Sequence, residues 1–295
     1  MTTSPERLHA TGNSVRELNI NTKSGRGIHT TIFEVSDPIS VVIIAGAMGV
    51  VQKNYAKFAL FLNEHGHTVI TFDYYGTGLS LCTPMKACDA DVRSWGEQDC
   101  EAIIDYALAH FPKRPVQWIG HSVGGQLLGI IRNAGKLSNA ITLSCGTGYW
   151  RYNSPETRRY VWFMWYIIAP LLVKIFGYFP GRKLKIVGDL PPNVMWQWRR
   201  WCLVEDYAVG VEGPEIRRRY ADLNIPITSI SFKDDEMLSE KNINGLNRFF
   251  NQNNLTRIRV DASAIGETFI GHLGWIKEKF RQSIWHREIL PRLMA

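Results

Sequence analysis

Ser122 stands in Gly120-His121-Ser122-Val123-Gly124-Gly125, where the apolar run Val116–Gly120 gives way to a helical pattern. A serine hydroxyl is a weak nucleophile and needs a positioned base. A G-x-S-x-G turn suits such a serine. Its glycines let strand and helix pass closely, and the sharp bend holds the hydroxyl exposed. Gly-rich turns also serve packing and phosphate binding, so the partners of Ser122 must decide.

In the chain order nucleophile, acid, histidine, each partner follows the C-terminal end of a strand. Of the eight histidines, only His272 and His286 follow the last candidate acid strand. His286 falls in an amphipathic terminal helix and reads as a surface residue. His272 lies in Phe269-Ile270-Gly271-His272-Leu273-Gly274-Trp275, a glycine-flanked loop, and is the expected base. For the acid, the strand "PITSISF" runs straight into Asp234-Asp235. Asp235 is preferred for its distance from the strand end and the following Met237-Leu238. Asp234 stays open, and both could simply cap a turn. Acyl transfer also needs donors for the developing oxyanion. The N–H of Val123 is one. The loop "AGAMGVVQ" (45–52) supplies the other from Ala47 or Met48, with Ala47 the first choice. His121 reads as a packing or hydrogen-bonding residue.

The elements that must carry these residues alternate. Strands are expected at 15–22, 28–35, 41–46, 67–73, 115–120, 139–145, 226–232 and 255–260. Helices are expected at 52–65, 95–111, 122–133, 239–251 and from about Trp275. That rhythm predicts an α/β fold with a mostly parallel central sheet and helices on both faces. The rhythm stops between 147 and 222, a stretch holding six of the ten tryptophans. It reads as a helical cap inserted into one core domain, with core residues 1–146 and 223–295 on either side. Within it, "YVWFMWYIIAPLLV" (160–173) is uncharged. It falls short of the roughly 20 residues of a spanning helix, and Pro170 should kink it. A buried or interfacial helix pair is the expectation, with basic flanks that leave a peripheral membrane contact through 160–179 open.

The 295 residues carry a formal net charge of +7. The basic residues read as dispersed, in short clusters such as Arg199-Arg200 and Arg217-Arg218-Arg219. No nucleic-acid-binding signature accompanies them. Five cysteines without a CxxC pair read as reduced thiols of a cytoplasmic protein. The leading "MTTSPERLHATGN" lacks the apolar core of a signal peptide. No ligand cluster calls for a metal, and "GHSVGG" is not a dinucleotide fingerprint, so no cofactor is expected.

Taken together, these residues resemble the α/β-hydrolase superfamily. "FDYYGTGLS" (72–80) is similar to its D-x-x-G-x-G-x-S turn, "GHSVGG" to its nucleophile elbow and Gly271-His272 to its histidine loop. The resemblance implies a structural role for Asp73 and Gly78, and a triad of Ser122, Asp235 and His272. A closer likeness is to bacterial α/β-hydrolases of unassigned substrate. It runs through "GAMGV" (46–50), "GHSVGGQLLG" (120–129), "GYFPGRKL" (177–184), "QWRRWC" (197–202) and "GHLGW" (271–275). Where the superfamily commonly has His-Gly after the third strand, this chain has Ala45-Gly46, so the second oxyanion donor rests on Gly46 alone.

The leading functional expectation is a serine hydrolase of esterase, lipase or thioesterase type. It would cleave a carboxylic ester or thioester of an apolar acyl or aromatic small molecule. The same triad would serve a peptidase, an acyltransferase or a C–C hydrolase. A basic cap disfavours the peptidase, which wants an acidic site for a substrate amine. A ligand-binding protein that keeps the fold without catalysis is the alternative of a different class.

Overall fold

The computed structural model describes residues 7–8 and 14–293. Apart from Arg7–Leu8, the polar leader therefore lies outside the described residues. Among the described residues, nine strands form one sheet: β1 (Arg7–Leu8), β2 (Ser14–Asn21), β3 (Gly27–Glu34), β4 (Ser40–Ala45), β5 (His67–Phe72), β6 (Val116–His121), β7 (Asn139–Leu143), β8 (Ile227–Phe232) and β9 (Leu255–Val260). Their spatial order is β1-β2-β3-β5-β4-β6-β7-β8-β9. The pairs β1–β2, β2–β3 and β3–β5 are antiparallel; every other pair is parallel. Arg7–Leu8 extends the expected sheet by a short edge strand.

The sequence explains why these strands lie where they do. β4, β5 and β6 are buried at every position, as befits parallel strands covered on both faces. β3 instead alternates between half-buried and buried positions along most of its length, the mark of an antiparallel strand nearer an edge. Two apolar layers flank the sheet. One gathers Phe58, Phe61, Trp275 and Trp285 from helix Ala56–Glu64 and the C-terminal region. The other gathers Trp95, Ile103, Leu127 and Trp118 against helix Glu101–His110 and the elbow.

Two local expectations change. The helix expected over 122–133 is only Val123–Gln126 followed by a tight turn at Leu127–Gly129. Gly129 lies against the Tyr220 ring, where a Cβ would come within 2.1 Å of a ring carbon. That close packing against helix Pro214–Asp222 ends the element. In the 147–222 stretch, the helix pair expected around Pro170 is instead one continuous helix, Pro155–Phe176, of 22 residues, with a mean hydropathy of 1.4 over its most apolar 18-residue window. A wider π-helical turn at Met164–Ile168 precedes Pro170 and accommodates its missing N–H. The helix is therefore long and apolar enough to cross a membrane, yet Val161, Trp165, Ala169 and Val173 pack its inner face on the core. Shorter helices at Gly181–Leu184, Pro192–Cys202, Tyr207–Glu212 and Pro214–Asp222 complete the region before β8.

Candidate active site

β4 lies between β5 and β6, so the chain passes from β4 to one side and then crosses back to the other. A crevice opens at such a switch point, beyond the C-terminal ends of the strands. Ala45 at the end of β4 pairs with Gly120 near the end of β6, which sets the Gly46 loop beside Ser122.

Ser122 has φ 53° and ψ −115°, a left-handed conformation rarely adopted by a residue with a Cβ. Several contacts hold it there. Its N–H donates to the Leu143 carbonyl at 2.9 Å, and its carbonyl accepts the N–H groups of Gly125 and Gln126. A Cβ on Gly124 would lie 2.2 Å from the Ala45 carbonyl oxygen, and one on Gly120 would lie 2.5 Å from the Gly125 nitrogen. Only glycines let the elbow settle this close to β4. Beneath it the buried Cys145 thiol points at the Ser122, Gly120 and Leu143 carbonyls. Burial pushes that thiol up to about 12, which removes Cys145 as a competing nucleophile.

Asp235 and His272 meet in the interior. His272 Nδ1 lies 2.8 Å from Asp235 Oδ2, with side-chain exposures of 3% and 1%. A carboxylate only accepts, so Nδ1 carries the proton and Nε2 keeps the lone pair that a base requires. Asp235 Oδ1 accepts the N–H groups of Met237 and Leu238, which fixes the carboxylate plane. Asp234 turns elsewhere and accepts the N–H groups of Ile270 and Gly271. Glu236, absent from the sequence reading, accepts the His272 N–H at 2.9 Å. Three consecutive acids thus grip one loop. Gly271 has φ +70°, and a Cβ there would lie 2.7 Å from Glu236 Oε2, so the loop needs glycine at this point.

Ser122, Val123, Met48 and His272 line one cavity of about 360 Å³. Its walls are mostly apolar, with Val161, Met164 and Trp165 from the long helix facing the elbow. Glu156 and Glu236 add carboxylates to the lining. A larger groove of about 800 Å³ beside β2 and helix Glu101–His110 contains none of Ser122, Asp235 and His272. Among the described residues, no group of three or more His, Cys, Asp or Glu side chains could hold a metal ion.

Residues 36–177 match a family model described as serine aminopeptidase, S33. The fold is shared with a soluble variant of monoglyceride lipase from Saccharomyces cerevisiae, solved with a substrate analogue, at 18% identity and TM-score 0.65. That alignment covers 96% of this chain and 94% of the other. The chain has the α/β-hydrolase fold. An esterase of Pyrococcus furiosus shares the same fold at 13% identity and TM-score 0.59, over 97% of this chain and 94% of its own. No curated protein sequence matches this chain.

Asp73 and Gly78 make a structural turn. Asp73 accepts the N–H groups of Gln52 and Leu79, and a Cβ on Gly78 would lie 2.2 Å from its carboxylate.

The loop after β4 corrects one assignment. The Ala47 N–H does not face the cavity; it donates to the Tyr55 hydroxyl at 2.8 Å. Tyr55 in turn lies 2.8 Å from His121 Nδ1, and His121 Nε2 lies 3.0 Å from the His272 carbonyl oxygen. A carbonyl only accepts, so His121 Nε2 carries the proton and Nδ1 takes the Tyr55 hydroxyl hydrogen. Burial agrees, holding the imidazole neutral by lowering it to about 3. Met48, the other candidate in the loop, lines the cavity beside Val123. Tyr55, like Glu236, escaped the sequence reading, although three acids in a row after a strand were a visible signal for the second.

Proposed function

We propose that this α/β-hydrolase is a serine hydrolase acting on carboxylic esters or thioesters with an apolar acyl or aromatic group. One observation carries the reading. A strained Ser122 and His272 line the same apolar cavity, and the buried Asp235 holds His272 from behind. His272 Nε2 takes the proton as Ser122 Oγ attacks the carbonyl, and Asp235 stabilises the imidazolium. The N–H groups of Val123 and Met48 hold the oxyanion. His272 then returns the proton to the departing alcohol or thiol, leaving an acyl-serine. Water deprotonated by His272 attacks the acyl carbon, the acid leaves, and Ser122 regains its proton. The reading replaces Ala47 with Met48 as donor and needs no cofactor.

Fluorophosphonate labelling of wild type, Ser122→Ala and His272→Ala, beside a p-nitrophenyl ester panel of rising chain length, tests it. Labelling lost in both variants and a defined chain-length optimum are expected. A folded wild type that neither labels nor turns over any ester overturns it and favours a ligand binder.

A second reading has its own support. Glu156 and Glu236 place carboxylates in the cavity, where they could receive a free α-amine, as the matched family description suggests. Aminoacyl p-nitroanilides turned over faster than acyl esters would favour release of an N-terminal residue.

A further inference from the structure

We propose that the outer face of helix Pro155–Phe176, with the basic segment that follows it, docks on an anionic phospholipid bilayer and turns the cavity mouth toward it. The inference goes beyond the hydrolase reading and does not depend on it.

Tyr160, Phe163, Ile167, Leu171 and Ile175 recur at helical spacing along the outer face, each between 43% and 69% exposed. Trp162 and Tyr166 widen the stripe, and Leu184 and Ile186 continue it on the next segment. Scattered exposed apolar residues are ordinary on a protein surface, but a contiguous face of this kind marks an interaction site. The inner face is already occupied, since Val161, Trp165, Ala169 and Val173 are buried in the core. Arg199 Nε also donates to the Trp165 carbonyl. A helix held along its length in this way can lie in an interface but cannot cross one.

Charge selects the occupant. Residues 155–200 contain eight lysines and arginines against two acids, while the rest of the chain is nearly balanced at 26 against 25. The net charge therefore resides almost wholly in this segment. Arg182 reaches Asp189, but Arg158, Arg159, Lys174, Lys183, Lys185 and Arg200 form no ion pair among the described residues. Lys183 lies 5.7 Å from the Phe176 ring centroid, so cation and aromatic share one edge of the patch. Cations interleaved with aromatic and aliphatic side chains match the headgroup boundary of an anionic membrane. A second copy of the chain would instead set two positive faces against each other.

The patch also borders the cavity. Tyr160 and Ile186 are more than half exposed, at 69% and 53%, and both line the cavity that holds Ser122. Docking on this face presents the mouth to molecules dissolved in the bilayer. The root of the helix rests on the acid loop, where the Thr157 hydroxyl donates to the Glu236 carbonyl at 2.6 Å and Ser154 donates to the same oxygen.

Co-sedimentation of the full chain with vesicles of phosphatidylcholine alone, or of equimolar phosphatidylcholine and phosphatidylserine, tests the proposal. Binding to the anionic vesicles that weakens with salt is expected, with less on the neutral ones. Neutralising Lys183→Gln and Lys185→Gln together should weaken anionic binding by roughly 25-fold, about fivefold per cation. Leu171→Glu with Ile175→Glu should abolish it. All four positions are exposed, so thermal unfolding should stay with the wild type. Ser122→Ala should bind as the wild type does, which separates docking from catalysis. A wild type that stays in the supernatant at low salt overturns the proposal, as does an unchanged Leu171→Glu, Ile175→Glu variant. A dimer that the same variant dissociates, with no vesicle binding, would assign the face to a second copy.

Discussion

His121 Nε2 lies 3.0 Å from the carbonyl oxygen of His272, so the residue beside the candidate nucleophile holds the backbone of the candidate base. The chain of bonds continues through Tyr55 to the Ala47 N–H, joining the elbow, the histidine loop and the loop after β4. Tyr55 is wholly buried, and it shapes the site from outside the cavity.

Tyr55→Phe removes the acceptor for Ala47 and the donor for His121. The freed loop should misplace the Met48 N–H, lowering kcat about tenfold while KM changes little, because the oxyanion forms only in the transition state. Stability should fall by about 1–3 kcal/mol for the groups left unpaired. Steady-state kinetics on one ester would show the split. An unchanged kcat in a destabilised protein would reduce Tyr55 to a packing residue.

Asp235→Asn should lower kcat by roughly four orders of magnitude, because the amide no longer enforces the tautomer of His272. Asp234→Asn should keep fluorophosphonate labelling, losing about 1–2 kcal/mol from the two backbone bonds it weakens. Parallel labelling and urea unfolding of the two variants separate the neighbours. Equal loss of labelling in both would contradict the division of labour drawn from the geometry.

Asp99 is fully buried, accepts the Tyr75 N–H and leaves its second oxygen without a partner. Burial raises it to about 7 from 3.8, so over that interval the folded state binds more protons than the unfolded chain. Its stabilising contribution is thus complete below the unfolded value and fades as pH rises through the folded one. His121, lowered to about 3, acts oppositely: the unfolded chain binds the proton first, so its contribution is lost as pH falls from 6.5. Asp99→Asn should therefore gain stability relative to wild type between pH 5 and pH 8, on the order of 2 kcal/mol. Urea unfolding at the two pH values measures this, and a difference that does not grow with pH would place the titration elsewhere.

Gly124→Ala should destabilise the fold by about 3 kcal/mol or more, since its Cβ would lie 2.2 Å from the Ala45 carbonyl oxygen. Gly135→Ala meets nothing within 4 Å and should be neutral or stabilising by a few tenths of a kcal/mol. Thermal denaturation of the pair shows whether close approach, rather than glycine content, sets the elbow.

β4 was legible because it is a short, apolar, β-branched run closed by glycine, and β5 and β6 because their short, apolar-rich segments also end at turn residues. Ser122 and His272 were legible for a related reason: glycines beside a lone polar residue at a strand end report a backbone constraint that is local. The long helix was misread because two local rules, a short uncharged run and a proline, both argued for a break. The π-helical turn and the packing of Val161, Trp165, Ala169 and Val173 overrode them.

By itself, the sequence determined the alternating elements, the strained turn at Ser122 and a histidine loop after the last strand, since periodicity and glycine placement act over a few residues. Only the tertiary structure decided that Asp235 rather than Asp234 faces His272, and that the Ala47 N–H is occupied by Tyr55. It also decided that Glu236 grips the histidine loop and that the net positive charge borders an exposed apolar helix. The two acid contacts join residues 37 and 36 apart in the chain, and even the Ala47–Tyr55 bond depends on how a loop folds back. The direction of each depends on where a loop points after the sheet has formed, and no local pattern encodes that.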